Sequence, residues 1–302
     1  MSIKLQNLNE NYSKPIVLSL GFFDCIHLGH KALICKANKI AREMGAESFV
    51  LTFSNDPNAF FGAKKQVYSF ADRTHVIESL GADGIIYAEF NESFAKMSPK
   101  EFLDALLNRF DLRAVVSGAD YTFGTHAQGN VDFLKEYLSA KGICVDVVPF
   151  ECVNGAKLST RDLKSHVESG DVKTLNNYLS EPYFVIGAVA HAKQNGTRLG
   201  FPTANITASA DRLPLKEGVY ATKTVIDGRE CVSMTNVGAK PTFNDFSESI
   251  ETYVIGFSGD LYGKKIKISF FERMRDIKTF ETPRALQEQL AQDEQRAKSL
   301  FE

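Results

Sequence analysis

An α/β domain followed by an all-β domain is the fold class this sequence predicts, and three observations predict it. Residues 16–148 alternate short apolar runs with helix-period stripes, and residues 183–271 hold β-rich runs with no helical pattern between them. The change of character falls at Glu181–Pro182. A chain of 302 residues has length for two domains, and the expected limits are 1–182 and 183–302.

In the first half, Ile16–Leu20 is an apolar run ending at Gly21, and Ser48–Phe53 is a second. Between them Leu33, Ala37, Ile40 and Met44 form one stripe of an amphipathic helix. Strand, glycine turn, helix, strand is a βαβ unit, whose crossover makes the strands parallel neighbours. Gly84–Tyr87, Ala114–Ser117 and Ile143–Val148 read as further strands, with helices at Pro99–Phe110 and Val131–Ala140. A doubly wound sheet fits this order. In the second half, Tyr183–Ala190, Val219–Val225, Cys231–Asn236, Ile250–Phe257 and Lys265–Phe271 follow one another as strands. That succession predicts an antiparallel sandwich or barrel. A closing helix has Thr282 as N-cap, Pro283 at its first position, and Leu286, Leu290 and Ala297 facing inward.

Composition narrows the function classes. Residues 1–182 carry 19 basic and 22 acidic side chains, and residues 183–302 carry 16 and 15, which gives the net −2 of the whole chain. Neither half has the positive excess that phosphate-backbone binding needs, so no nucleic-acid partner is expected. The cysteines Cys25, Cys35, Cys144, Cys152 and Cys231 show neither CxxC nor metal-ligand spacing and read as free thiols of a reducing compartment. No signal-peptide pattern and no membrane-length apolar run is seen, so a cytoplasmic protein without a membrane partner is expected.

The first chemical constellation is Gly21-Phe22-Phe23-Asp24-Cys25-Ile26-His27-Leu28-Gly29-His30, placed between the first strand and its helix. Ligands of open α/β sheets bind at this point, where the helix N-terminus offers unpaired N–H groups and partial positive charge to phosphate. Gly29 lets backbone approach a ligand, and two imidazoles three residues apart can converge on one anionic group. A histidine pair at this spacing is more often a cap or a surface feature. The place after the first strand and the preceding GxFD shift the balance toward catalysis.

The segment resembles the (H/T)xGH signature of the nucleotidylyltransferase superfamily, in the form found in prokaryotic bifunctional riboflavin kinase/FAD synthetases. Thr52-Phe53 through Pro57, Phe102, Gly118-Ala119-Asp120-Tyr121 and Phe123-Gly124 continue the likeness. The resemblance implies a Rossmann-like nucleotidylyltransferase domain in which FMN attacks ATP to give FAD and pyrophosphate, with Mg²⁺ balancing charge. It implies that His27 and His30 stabilise charge at the α-phosphate. Gly21, Phe23, Asp24, Gly29, Asp120, Ser159, Thr160, Arg161 and Lys164 are then nucleotide- or flavin-binding. Three positions depart from the family pattern: Cys25 stands for glycine, Asp56 for histidine, and Ser159–Lys164 for an SSTxIR motif whose arginine becomes Lys164. Restoring glycine at position 25 is expected to speed adenylyl transfer.

The second constellation is Gly196-Thr197-Arg198-Leu199-Gly200-Phe201-Pro202-Thr203-Ala204-Asn205-Ile206. Its glycines allow a loop to wrap phosphate, and Thr203 and Asn205 offer neutral oxygens of the kind a hard cation takes. A plain turn has the same composition. Farther on, alternation puts Glu251 on the face shared by Tyr253, Ile255 and Phe257. A carboxylate on an apolar face needs a reason: a general base for a substrate hydroxyl, an edge strand whose apolar face is wet, or a salt bridge to a nearby arginine.

GxxxGxPTAN, Gly218–Ala221, Asn236–Gly238 with Lys240–Phe243, Phe257–Gly263 and Arg275 stand in the order found in riboflavin kinases. This resemblance implies a six-stranded Greek-key barrel with a C-terminal helix. Gly196, Gly200, Pro202, Thr203 and Asn205 would hold MgATP, with Thr203 and Asn205 at the metal. Glu251 would take the proton of the riboflavin 5′-hydroxyl, and Arg275 would lie near nucleotide and flavin. Thr197, Gly256 and Ile277 depart from the family here. The leading reading is an enzyme making FMN and then FAD, with riboflavin, FMN and ATP as its small-molecule partners. A riboflavin kinase whose N-terminal domain is weakened in catalysis and serves as scaffold or nucleotide sensor stays open, as does a flavin-binding regulator. Cys25 and Ser159–Lys164 weigh toward the former, and intact Thr203, Asn205 and Glu251 weigh against the latter.

Overall fold

The computed structural model describes residues 2–62, 65–149, 152–153, 156–157, 160–190, 201–239 and 248–302. The chain divides into two compact units, Met1–Thr160 and Arg161–Glu302.

The first unit is built on β1 (Lys4–Asn7), β2 (Tyr12–Leu20), β3 (Glu47–Phe53), β4 (Gly84–Ala88), β5 (Phe110–Gly118) and β6 (Cys144–Val148). They form one sheet in the order β1-β4-β3-β2-β5-β6, and every neighbouring pair is parallel. The helices are α1 (Leu28–Met44), α2 (Pro57–Phe60), α3 (Phe70–Ser79), α4 (Glu92–Ala95), α5 (Pro99–Leu107) and α6 (Val131–Ser139). A two-stranded ribbon, β7 (Cys152–Val153) with β8 (Ala156–Lys157), follows. Every residue of Ile16–Leu20 is buried, as expected for a central strand of a sheet covered on both faces.

Two local readings need correction. Phe110 opens β5 instead of ending a helix, because α5 stops at Leu107. In α1 the buried stripe is Leu33, Ile34, Ala37, Asn38 and Ala41, while Met44 is 49% exposed. The stripe is rotated from the expected one because Asn38 turns inward and donates to the Leu80 carbonyl at 2.9 Å.

The second unit begins with α7 (Thr160–Ser169) and α8 (Val172–Asn176) and continues as β9 (Phe184–Ala190), β10 (Thr203–Thr207), β11 (Gly218–Ile226), β12 (Arg229–Ala239), β13 (Glu248–Val254) and β14 (Lys265–Arg275). The six strands close into an antiparallel barrel, β10-β13-β12-β11-β14-β9. Residues 161–182 pack with the second unit. Leu163, Val167, Val172 and Leu175 are buried, and Asn176 donates to the Phe270 carbonyl of β14 and accepts from the Tyr183 N–H. Residues 203–207, read as loop, form β10, and Ile255–Phe257 lie beyond the end of β13.

The barrel interior contains a file of hydroxyls. Thr222, Thr224, Ser233, Thr235 and Thr252 are fully buried, with contacts of 2.8–2.9 Å from each to the next. A hydroxyl has one proton to give. Thr235 gives its proton to Thr252, so the order runs Thr224 to Ser233 to Thr222 to Thr235 to Thr252, which itself points to the Met234 carbonyl. Satisfied in this way, the file ties β11, β12 and β13 together without stranding a polar group. Helix α9 (Pro283–Phe301) closes the chain. Thr282 caps it from the Ala285 N–H at 3.2 Å, and Leu290, Ala297 and Phe301 pack on Val219, Ala221 and Met234 outside the barrel.

Candidate active sites

The loop from β2 into α1 is tightly wound. A Cβ at Gly21 would lie 2.9 Å from the buried Phe23 ring, so any larger residue there would have to displace that ring. Phe23 and Ile26 have φ of 57° and 41°, a conformation that costs non-glycine residues about 1–3 kcal/mol each. The loop is held by what it buries. Phe23, Cys25 and Ile26 are wholly enclosed, and the Asp24 carboxylate accepts from the Val67 N–H at 2.6 Å and the Tyr68 N–H at 3.4 Å.

This winding delivers His27 to the N-cap of α1. Its Nδ1 accepts from the N–H groups of Gly29, at 3.1 Å, and His30, at 3.3 Å. With Nδ1 used as acceptor, the neutral imidazole carries its proton on Nε2 as a donor. The His30 ring stacks on it, centroids 3.8 Å apart and planes 21° from parallel. Burial lowers the His27 pKa to about 4, against a smaller upward pull from Asp120. Burial, and then His27, hold His30 well below the ordinary histidine value. Both rings are neutral at pH 7.

They line a cavity of about 970 Å³ at the carboxyl ends of the strands, with Gly21, Gly29, Asp120 and Thr160 on its wall. The remaining wall is largely aromatic: Phe22, Phe53, Phe90, Phe94, Tyr121 and Phe123. Phe53 meets Phe90 and Phe94 edge-on at 5.3 and 5.1 Å, and Tyr121 lies parallel over Phe123 at 5.5 Å. Burial raises the Tyr121 pKa, so its hydroxyl keeps its proton.

Several expected ligand contacts sit elsewhere. Phe23 lies behind the loop with its ring 5.0 Å from His30, and Asp24 staples the loop to residues 67–68. Neither is on the cavity wall. Cys25 is enclosed and off the wall as well, with no positive φ, so its side chain points into the core and obstructs nothing in the cavity. Asp56 caps α2, accepting from the Asn58 N–H at 2.9 Å. Arg161 is exposed and Lys164 buried on α7. Ser159 lies outside the described residues.

Sequence reasoning missed Arg73, Phe90, Phe94 and His126. Arg73 on α3 is fully buried. It donates to the Phe22 carbonyl (3.0 Å), Thr52 Oγ1 (2.6 Å) and the Phe53 carbonyl (2.8 Å), with the Phe22 ring 4.7 Å from its guanidinium. It thereby clamps the ends of β2 and β3 beneath two cavity residues. His126 stands on the cavity wall at a φ of 51°. An arginine in an amphipathic helix reads as solvated, so no local signal pointed to Arg73. The crowding of phenylalanines after β3 and β4 was the visible clue to the aromatic wall.

In the second unit, cross-strand register assembles a row. Arg275 lies opposite Val219, Val219 opposite Asn236, Asn236 opposite Glu251, and Glu251 opposite Asn205. Residues directly opposed in a sheet share a face, with Cβ atoms roughly 5 Å apart. Thr203, two residues before Asn205, is on that face too. Glu251, Asn236, Asn205 and Thr203 are half-buried beside the patch that α9 covers, and Ser249 Oγ donates to Glu251 at 3.4 Å. Arg275 makes a forked bond to Asp293 of α9, Nε to Oδ2 at 2.9 Å and Nη2 to Oδ2 at 2.7 Å, with Oδ1 at 3.1 Å from Nε. Pro202 is exposed, and Gly196, Thr197, Arg198, Gly200 and Lys240–Phe243 lie outside the described residues.

Comparison with known proteins returned two family matches. The FAD synthetase model matches residues 9–162, and the riboflavin kinase model matches residues 179–301. The bifunctional riboflavin kinase/FMN adenylyltransferase of Bacillus subtilis (strain 168) is 33% identical over 292 residues, 94% of this chain and 92% of that protein. Its counterpart in Listeria monocytogenes is also 33% identical, with the same coverage of each chain. A crystal structure described as a macrolide-efflux protein from Streptococcus pneumoniae superposes with a TM-score of 0.86 at 26% identity, over 98% of this chain and 99% of that one. Among the described residues no helix of the present chain is long and apolar enough to cross a membrane.

Proposed function

From the premise that this chain belongs to the bifunctional riboflavin kinase/FMN adenylyltransferase family, we propose how its two units divide the chemistry. The enzyme uses ATP twice: it phosphorylates riboflavin to FMN, then joins FMN to the adenylyl group of a second ATP, giving FAD and pyrophosphate. A match to both families favours two activities over a kinase with a silent N-terminal half. We assign adenylyl transfer to 1–182 and phosphoryl transfer to 183–302.

In the barrel, Glu251 takes the proton of the riboflavin 5′-hydroxyl as that oxygen attacks the γ-phosphorus. Phosphoryl transfer asks mainly for positioning and charge stabilisation, so one base with polar neighbours suffices. Thr203 and Asn205 fit Mg²⁺ by their donor chemistry, two neutral oxygens on one strand face beside Glu251, as suits a cation that stays partly hydrated. Bound there, Mg²⁺ would neutralise charge on the ATP phosphates. Among the described residues no group of three or more His, Cys, Asp or Glu forms a metal site. A cation carried in on the nucleotide is consistent with that donor set.

In the sheet unit, His27 and His30 donate to oxygens of the α-phosphate as FMN attacks it. A neutral, pre-oriented donor beside a largely apolar wall acts strongly there, since few waters compete. The aromatic rings hold the flavin, and the N-terminus of α1 faces the phosphates. A cytoplasmic setting goes with this reading, since Cys25, Cys35, Cys144 and Cys231 form no disulfide, as a reducing compartment requires.

The observation that supports the reading best is the pairing of Glu251 with Asn205 on a barrel face, in a chain whose other unit caps a helix with His27 at a cavity. Riboflavin, ATP and Mg²⁺ incubated with the protein and followed chromatographically test it. FMN should appear first and FAD after it. FMN without FAD removes the second activity, and no conversion removes both.

A further inference from the structure

The arginine at the end of the Glu251 row is oriented from outside the barrel. Arg275 emerges from the last residue of β14, three strands from Glu251, a backbone separation of roughly 14 Å. An unrestrained arginine of that reach loses much rotamer freedom when it is fixed. Here it is fixed before any substrate arrives. Asp293 takes Nε and Nη2, and the Asp276 carbonyl takes Nη1 at 3.0 Å. Asp293 is itself held: Gln289, one helical turn earlier, donates to its Oδ1 at 3.0 Å. The pair is well buried, with side-chain exposures of 13% for Arg275 and 5% for Asp293.

Burying a carboxylate on a surface helix is a poor way to gain stability, because desolvation offsets most of the attraction. The rest of α9 already docks through Leu290, Ala297 and Phe301. What the ion pair adds is direction, since a guanidinium gripped along its Nε–Nη2 edge has one orientation.

We propose that the C-terminal helix is a working part of the phosphoryl-transfer site, with Asp293, steadied by Gln289, as the positioning residue that aims Arg275 along the row bearing Glu251. The inference rests on the reading of that row as the kinase site. Asp293 touches no substrate and acts only through Arg275.

The test is a double-mutant cycle on the full-length protein, with kcat/KM for riboflavin phosphorylation as the readout. Asp293→Asn keeps one oxygen acceptor but loses the charge, and its amide nitrogen then confronts a donor, either the Arg275 guanidinium or the Gln289 amide. It should lower kcat/KM roughly ten- to hundredfold, the penalty of a misplacement of about 1 Å. Arg275→Ala should lose at least as much. The double variant should match Arg275→Ala alone, because residues acting in series are not additive. Gln289→Met, which leaves the ion pair intact, should lose a smaller share and guards against misfolding of the first variant. FAD formation from supplied FMN should be unchanged throughout. Additive losses, an Arg275→Ala variant as active as the parent, or Asp293→Asn with a lowered Tm but an unchanged kcat/KM would each overturn the proposal. A parent protein that makes no FMN would instead overturn the reading of the site itself.

Discussion

Replacing Glu251 by glutamine separates the two activities. The exchange keeps volume and leaves Oε1 in place for the Ser249 hydroxyl, which donates at 3.4 Å. Among the described residues Glu251, half-buried, forms no ion pair that the exchange would break, so stability should move by less than about 0.5 kcal/mol. What is lost is a proton acceptor beside Asn205. General base catalysis is worth roughly 10²–10⁴ in rate, which corresponds to about 3–5 kcal/mol of barrier. FMN formation from riboflavin should fall by that factor in kcat with little change in KM, while FAD formation from supplied FMN continues at the parental rate. Chromatography of both products from one preparation reads both outcomes. A fall of less than tenfold would refute Glu251 as the base, and an equal fall in the two activities would refute the division between units.

Adenylyl transfer should show no acid limb near pH 6.5, because His27 stays neutral down to about pH 4; a rate that halves near 6.5 would contradict the neutral-donor reading. The same shift has a stability consequence. The folded pKa lies below the unfolded one, so the unfolded chain binds the extra proton, and the first unit should lose stability as pH falls from 6.5 toward 4. Denaturant titrations at several pH values would show the opposite slope if His27 were charged when folded. Cys25→Gly was expected from sequence to speed FAD formation. With the thiol enclosed and off the cavity wall, the rate should stay the same and stability should fall by about 1 kcal/mol, and a faster enzyme would mean that the cysteine reaches the ligand. Gly124→Ala places a Cβ 2.7 Å from the Pro99 nitrogen at a φ of 73°, which should cost on the order of 2 kcal/mol in urea unfolding; a neutral effect would contradict that geometry.

Strand–helix alternation and the later succession of strands were legible because both are local periodicities. Alternation alone puts Glu251 on one face with Tyr253, although β13 ends at Val254, short of Ile255 and Phe257. It does not bring in the neighbour Asn236, since cross-strand register is a long-range property that local pattern does not contain. Pro202, Thr203 and Asn205 have the composition of a turn, yet pairing with β9 and β13 outweighs that preference and makes residues 203–207 a strand. Phe23 and Asp24 belong to a recognisable motif, which says that they matter without saying whether they touch a ligand. The coordinates give them the task of winding the loop that presents His27. Arg73 left no trace in the sequence pattern, because only the fold brings the ends of β2 and β3 around it.

If one chain spends ATP in two different ways, the fate of labelled phosphorus reveals both. With riboflavin and ATP labelled at the γ-phosphate, label should enter FMN and persist into FAD. With ATP labelled at the α-phosphate, label should enter FAD alone and never FMN. An α-label that stays out of every flavin, or a γ-label missing from FMN, would contradict the claim.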